Sequence, residues 1–274
     1  AEAMSAEPVA NVPLNVVLLV DRSTSMTGAA LNNVKEAACA IVDELASTDM
    51  LSLVAFGSDV DVLVQKGELT DKDAAKKQIN RLRARGATNV HEALRVGLEQ
   101  VSQGLSEKRL SRLIFLSDGE ATEGETDDDV ILSLAEKARD MGVAISTLGV
   151  GEDYDEVLLS DIAANSGGNH YFIEGPEHIK EVYSREMDRF RAIIAKDVKL
   201  AITLVEGTKL KQLNFRYPFT QDGRTTKVRL DEIVASTEQK CLLDLEIEPR
   251  NEGEFRLGEV ELSYDDVLSA ERRE

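Results

Sequence analysis

The sequence predicts an α/β domain built on a mostly parallel sheet, followed by a small all-β sandwich, and three observations carry that prediction. Between residues 14 and 194 short apolar runs alternate with amphipathic stretches of helical period, the pattern of strands joined by crossover helices. Two of the runs, Val16-Val17-Leu18-Leu19-Val20 and Leu113-Ile114-Phe115-Leu116, are apolar at every position, as a strand covered on both faces must be. From Asp197 onward the apolar period drops to two and no further long helix is indicated. The chain therefore divides into an N-terminal extension at 1–13, an α/β domain at 14–194 and a β-sandwich at 195–274.

Each element follows from local pattern. After the first strand, Leu31, Val34, Ala38, Ile41 and Leu45 recur at helical spacing. Residues 51–56 and 60–64 are strand-like and separated only by Gly57-Ser58-Asp59, too short a link for a parallel crossover, so this pair is an antiparallel hairpin. Helices are predicted over 71–83 and 90–103, then the strand that ends at Asp118, a helix over 129–141 and a strand over 143–150. A helix over 155–165, a short strand over 170–173 and a last helix over 176–194 complete the domain. That last helix puts Ile179, Val182, Tyr183, Glu186, Met187, Phe190 and Ile194 on one side. In the tail, Val198, Leu200, Ile202 and Leu204 alternate with Lys199, Ala201 and Thr203. Cys241, Leu243, Leu245 and Ile247 alternate in the same way, and further strands are expected over 210–215 and 226–230. The apolar parity over 255–262 flips after Leu257, which predicts a bulge at Gly258.

Three loops that follow or precede these elements carry oxygen donors. Asp21, Ser23 and Ser25 sit on alternate residues of a D-x-S-x-S loop after the first strand. Thr88, in Gly86-Ala87-Thr88-Asn89, precedes a helix, and Asp118 precedes Gly119 after a second buried strand. Each group has a plainer local role: Asp and Ser cap turns and helices, Asn89 with Glu92 forms a capping box, and Asp-Gly makes turns. Both aspartates nevertheless follow parallel strands, which places them at the carboxyl edge of the sheet, where open α/β sheets bind ligands. Two carboxylates and three hydroxyls suit a small hard cation such as Mg²⁺ or Mn²⁺, with Ca²⁺ the poorer fit.

This combination of D-x-S-x-S, a distant Thr and a distant Asp resembles the metal-ion-dependent adhesion site of the von Willebrand factor type A domains. The resemblance implies a Rossmann-like domain with one antiparallel edge strand and a metal site made of Asp21, Ser23, Ser25, Thr88 and Asp118. It also implies a non-catalytic role, in which a Glu or Asp carboxylate of a protein ligand completes the metal shell and the last helix responds. Bacterial members with a C-terminal β domain look similar. The departures are Thr24, where a small residue is usual, and Arg22, which sets a cation beside the loop.

Composition limits the alternatives. A net charge of −19 argues against nucleic acid or anionic membrane as partner and favours cations and basic proteins. No stretch approaches the ~20 apolar residues of a membrane span. The opening Ala1-Glu2-Ala3-Met4 fits a processed start or a fragment. Cys39 and Cys241 are expected to be buried free thiols, as in a reduced, cytoplasmic compartment. The rival class is a Mg²⁺-dependent hydrolase or phosphatase with Asp21 as nucleophile, but Ser23 stands where such enzymes want a second carboxylate. No G-x-x-x-x-G-K-[ST] or G-x-S-x-G motif is present, and His91 is the one histidine near the loops. A subunit of a larger ATPase-associated assembly is a further alternative. The acidic run Glu120, Glu123, Glu125, Asp127, Asp128 and Asp129 is either a solvated face at a helix N-terminus or a surface selecting a carboxylate flanked by Lys and Arg.

Overall fold

The computed structural model describes residues 12–106, 108–118, 120–150, 154–173, 176–214, 217–267, 269 and 271–273. The expectations for residues 1–11, Gly119, Phe215 and the side chains of Ile179 and Tyr183 lie outside the described residues. The described chain forms two units, which divide between Phe190 and Arg191.

The first unit is a sheet of six strands: β1 (Leu14–Asp21), β2 (Met50–Phe56), β3 (Val60–Glu68), β4 (Leu110–Ser117), β5 (Ala144–Val150) and β6 (His170–Ile173). Their order is β3-β2-β1-β4-β5-β6, and β3 alone runs antiparallel, at the edge. The continuous apolar runs form the centre: every residue of β1 and β4 is buried. Six helices join the strands: α1 (Ala29–Glu44), α2 (Lys72–Arg81), α3 (Val90–Ser102), α4 (Asp128–Asp140), α5 (Glu156–Ser166) and α6 (Pro176–Arg191). Side chains of a strand alternate between faces. Val17, Leu19, Leu113, Phe115 and Ile145 therefore pack against α3, α4 and α5 in one cluster.

The opposite face of the sheet receives α6. The Arg112 guanidinium lies over the Phe190 ring at 4.6 Å. Glu186 is buried and accepts hydrogen bonds from Ser146 Oγ, Tyr171 OH and, at 3.1 Å, Asn169 Nδ2. A carboxylate that reads as an interruption of an apolar stripe is thus the polar tie between α6 and strands β5 and β6. The helix ends at Arg191 rather than Ile194, because Ile193 and Ile194 already belong to the next strand.

The second unit is antiparallel. A five-stranded sheet has the order β13-β12-β7-β10-β9, with β7 (Ile193–Leu204), β9 (Phe219–Asp222), β10 (Thr225–Val234), β12 (Gly258–Asp266) and β13 (Arg272–Arg273). β8 (Thr208–Asn214) and β11 (Leu242–Ile247) pair with each other as a separate two-stranded ribbon. β7 begins at Ile193, four residues before Asp197, where the period-two pattern starts in the sequence. Asp197 adopts φ +48° and Asp231 φ +63° at a bulge between β7 and β10, and this flips the parity from Ile193 and Ala195 to Val198 and Ile202. The bulge expected at Gly258 lies elsewhere. Gly258 is the first residue of β12, opposite Leu204, and the register shift falls at Tyr264. The parity flip after Leu257 marks the start of the strand. Glycine is needed there because a Cβ would come within 2.8 Å of the Thr203 carbonyl oxygen. Cys39 and Cys241 are free and half-buried, less enclosed than expected.

Candidate metal site

β1 and β4 are neighbours in the sheet although other elements separate them in sequence, so their carboxyl ends meet where the strand order reverses. Asp21 ends β1 and is fully buried. Its Oδ1 accepts the Ser23 N–H at 2.7 Å, and its Oδ2 accepts the Ser117 hydroxyl at 2.5 Å. The chain then turns through one short helical turn over Thr24–Met26. That turn sets the Ser23 and Ser25 hydroxyls 2.8 Å apart. The Ser25 hydroxyl and the Glu120 N–H in turn bond the Asp118 carboxylate. One network thus joins Asp21, Ser23, Ser25 and Asp118.

Thr88 reaches the same place by backbone bonds. The Gly86 carbonyl accepts both the Thr24 N–H and the Thr24 hydroxyl, each at 2.9 Å. The Thr88 N–H donates to Thr122 Oγ1 at 2.9 Å, while the Thr88 carbonyl accepts the N–H groups of Thr122 and Glu123. Thr88 is therefore buried between the loop after β1 and the loop after β4. Gly86 can make this approach because it adopts φ +78° and because any Cβ would meet Ser58 at 2.7 Å.

Both departures in the loop are resolved by neighbours. Thr24 is tolerated because its hydroxyl and N–H share one carbonyl, so a small residue is not required. Arg22 places its guanidinium away from the loop, paired with Asp61 on β3, which Arg85 also contacts at 3.2 Å. Glu92 does not close the capping box. Asn89 accepts its N–H at 3.0 Å, but the Glu92 carboxylate is held by Arg95 at 2.7 Å.

Burial works against ionisation of both aspartates. Burial pushes the Asp21 carboxyl up to about 7; the Ser117 hydrogen bond opposes this rise and the nearby Asp118 adds to it. Burial raises Asp118 as well, against the bonds from Ser25 and Glu120. Asp118 Oδ1 is buried with no hydrogen-bond partner among the described residues. A buried acceptor without a partner, on a carboxylate that interacts electrostatically with Asp21, has the donor chemistry a divalent ion completes. Among the described residues no three His, Cys, Asp or Glu side chains converge, so a cation here is met by two carboxylates and neutral hydroxyls.

Ser117 was missed in the sequence, although a serine ending an otherwise apolar strand is a usable signal. The acidic residues spread outward. Glu125 accepts the Asp127 N–H at 3.0 Å, Asp127 caps α4, and Glu120, whose N–H bonds Asp118, and Glu123, whose N–H bonds the Thr88 carbonyl, are exposed. At the next strands, Tyr154 lies against Gly149 and stacks on Phe172 at 5.0 Å, with its hydroxyl 3.2 Å from His170 Nε2.

An open α/β sheet whose reversal point brings together Asp21, Ser23, Ser25 and Asp118 defines a Rossmann-like domain with a candidate site at its carboxyl edge. The sequence model of the von Willebrand factor type A domain matches residues 15–185, and the chain belongs to that family, whose members commonly bind metal at this motif and mediate protein interactions. An uncharacterized protein of Synechocystis, sll0103, is 30% identical over 269 residues, which are 95% of this chain and 63% of that protein. The chain thus spans less than two thirds of that relative. A von Willebrand factor type A protein from Catenulispora acidiphila shares the fold with a TM-score of 0.76 at 20% identity, over 93% of this chain and 63% of that one. Proximal thread matrix protein 1 of the mussel byssus, solved with a zinc-occupied MIDAS motif, matches 65% of this chain and 48% of its own at a TM-score of 0.56 and 18% identity. Among the described residues no helix is long and apolar enough to cross a membrane.

Proposed function

We propose that this chain is a non-catalytic, divalent-metal-dependent protein-binding module. Asp21, Ser23, Ser25, Thr88 and Asp118 would hold Mg²⁺ or Mn²⁺, directly or through water. The observation that carries the reading is the orphaned Asp118 Oδ1 beside the buried Asp21 carboxyl. The zinc in the mussel protein supports a divalent ion in this motif. With few charged protein ligands the ion would stay electrophilic enough to take a carboxylate from a partner.

The residues around the site set the character of that partner. Ser25 is exposed, so the site opens to solvent on that side. Glu120 next to Asp118 and Glu123 further along the same loop are exposed and would repel a purely acidic ligand, so the coordinating Glu or Asp should lie among Lys and Arg. The test is titration with a synthetic peptide carrying one Glu between lysines, in Mg²⁺ and in chelator. Binding in Mg²⁺ that vanishes in chelator and in Asp118→Asn supports the module. A chain that binds the peptide equally with and without metal, or takes up no Mg²⁺ in calorimetry, refutes it.

A further inference from the structure

The second unit carries an edge strand that breaks the usual rules for edges. A sheet edge exposes unpaired N–H and C=O groups, and folded proteins blunt it with short strands, proline, bulges or cover. One edge here is blunted: β9 has four residues and follows directly on Pro218. The other edge is not. Along Gly258–Ser263 the described residues pair β12 only with β7, because β13 joins at Tyr264 and Asp265. Those six residues include no proline, and their register with β7 is unbroken.

The side chains on this edge carry a pattern. Val260 and Leu262 share a face with their partners Ile202 and Leu200, yet they are 64% and 38% exposed. They line an open groove of about 1050 Å³ together with Leu200, Val228, Phe219 and Tyr264. Lys199, Lys227, Arg229 and Glu261 line it as well. On the other face Glu259 and Glu261 are exposed, opposite Thr203 and Ala201. Arg256 engages Glu259 at 2.8 Å, Lys199 and Arg272 are held by Asp197, Arg229 lies by Asp231, and Lys227 is on β10, beyond β7, so the edge itself remains acidic at Glu261.

We infer that β12 is a docking edge for an extended segment of another protein, which adds as a strand and alternates aliphatic residues with Lys or Arg. Backbone pairing along Gly258–Ser263 gives the affinity, and alternate side chains give the selectivity. The aliphatic residues continue the Val260 and Leu262 face over the groove, while the cations oppose Glu259 and Glu261. Charge argues against a second copy of this chain in that place. Antiparallel self-pairing about Val260 sets Glu259 against Glu261 of the second copy, and parallel self-pairing in register sets each glutamate against itself.

The edge can be tested without metal, so the outcome is independent of the site on the first unit. The probes are an acetylated eight-residue peptide alternating Lys and Val, the same peptide with Glu for Lys, and a Lys-Val peptide interrupted by proline. Anisotropy titrations of the full chain in chelator should show saturable binding of the Lys-Val peptide, at least about tenfold tighter than the Glu-Val peptide at low salt. Amide exchange over 258–263 should slow on binding. The double variant E259K/E261K should reverse the preference. Equal binding of the proline-interrupted peptide, which has the same charge, would show general attraction to an acidic protein and overturn the proposal. So would an unchanged preference in E259K/E261K, or a dimer in sedimentation that Val260→Lys dissolves.

Discussion

Metal binding at the candidate site should release protons near neutrality, and the size of the effect follows from Asp21. Burial holds its carboxyl at about 7 against an ordinary value of 3.8. Without a cation roughly half of the molecules at pH 7 therefore keep a proton there, and at pH 5 only about one in a hundred is ionised. A divalent ion needs the carboxylate, so Mg²⁺ affinity should weaken about 100-fold between pH 8 and pH 5, with Asp118 steepening the fall.

The same shift governs the stability of the metal-free chain. The folded state binds this proton more tightly than the unfolded state, so stability is unaffected below the unfolded value and declines as pH rises from about 4 to about 7. The loss is on the order of 4 kcal/mol. Asp21→Asn mimics the neutral acid. Without metal it should match the wild type at pH 4 and exceed it at pH 8 by up to that amount. Urea unfolding in chelator measures the stability, and calorimetry in two buffers of different ionisation enthalpy counts the protons. If Mg²⁺ binds with a flat affinity from pH 6 to 8 and no proton release, Asp21 is an ordinary ionised carboxylate and the argument fails.

Three further outcomes are expected. Asp118→Asn should abolish Mg²⁺ binding while leaving the metal-free fold at least as stable at pH 8. It should also lose the roughly 2.7 kcal/mol that metal at 100 times its dissociation constant adds to the wild type, read as a shift in melting temperature. Gly86→Ala forces a side chain at φ +78° against Ser58, and should cost about 1–3 kcal/mol in melting experiments and weaken Mg²⁺ binding in titrations. Glu186→Leu strands the donors of Ser146, Asn169 and Tyr171 and should cost about 3 kcal/mol or more in urea unfolding, with metal affinity in the folded protein unchanged.

The α/β unit was legible because its signals are local. Continuous apolar runs of strand length, alternating with stretches of helical period, read as strands buried on both faces, and a three-residue link between strands dictates the hairpin that makes β3 antiparallel. The five candidate oxygen donors could be proposed from sequence because a motif in three pieces needs only the order of elements. What the sequence concealed was set by contacts across the fold. The partner of Arg22 is on a strand whose approach depends on sheet order, and Glu186 looks like a polar intrusion until β5 and β6 supply its donors. In the tail, the bulge at Asp197 shifted the apolar parity, so the period-two signal began four residues late.

If the proposed cation binds, the hydroxyls at Ser23, Ser25 and Thr88 would set what the site can do. Carboxylates at those positions would neutralise a divalent ion and leave little attraction for an outside ligand; hydroxyls orient it at almost no cost in positive charge. The remaining negative charge is displaced to the rim, at Glu120 and Glu123, where water screens it but an approaching ligand still feels it. Arg22, the cation that could have competed for an incoming carboxylate, is tied to Asp61 on the edge strand. On the proposed reading the two features would act separately: a cation at the site would take a carboxylate, and the exposed glutamates would disfavour a carboxylate lacking basic neighbours.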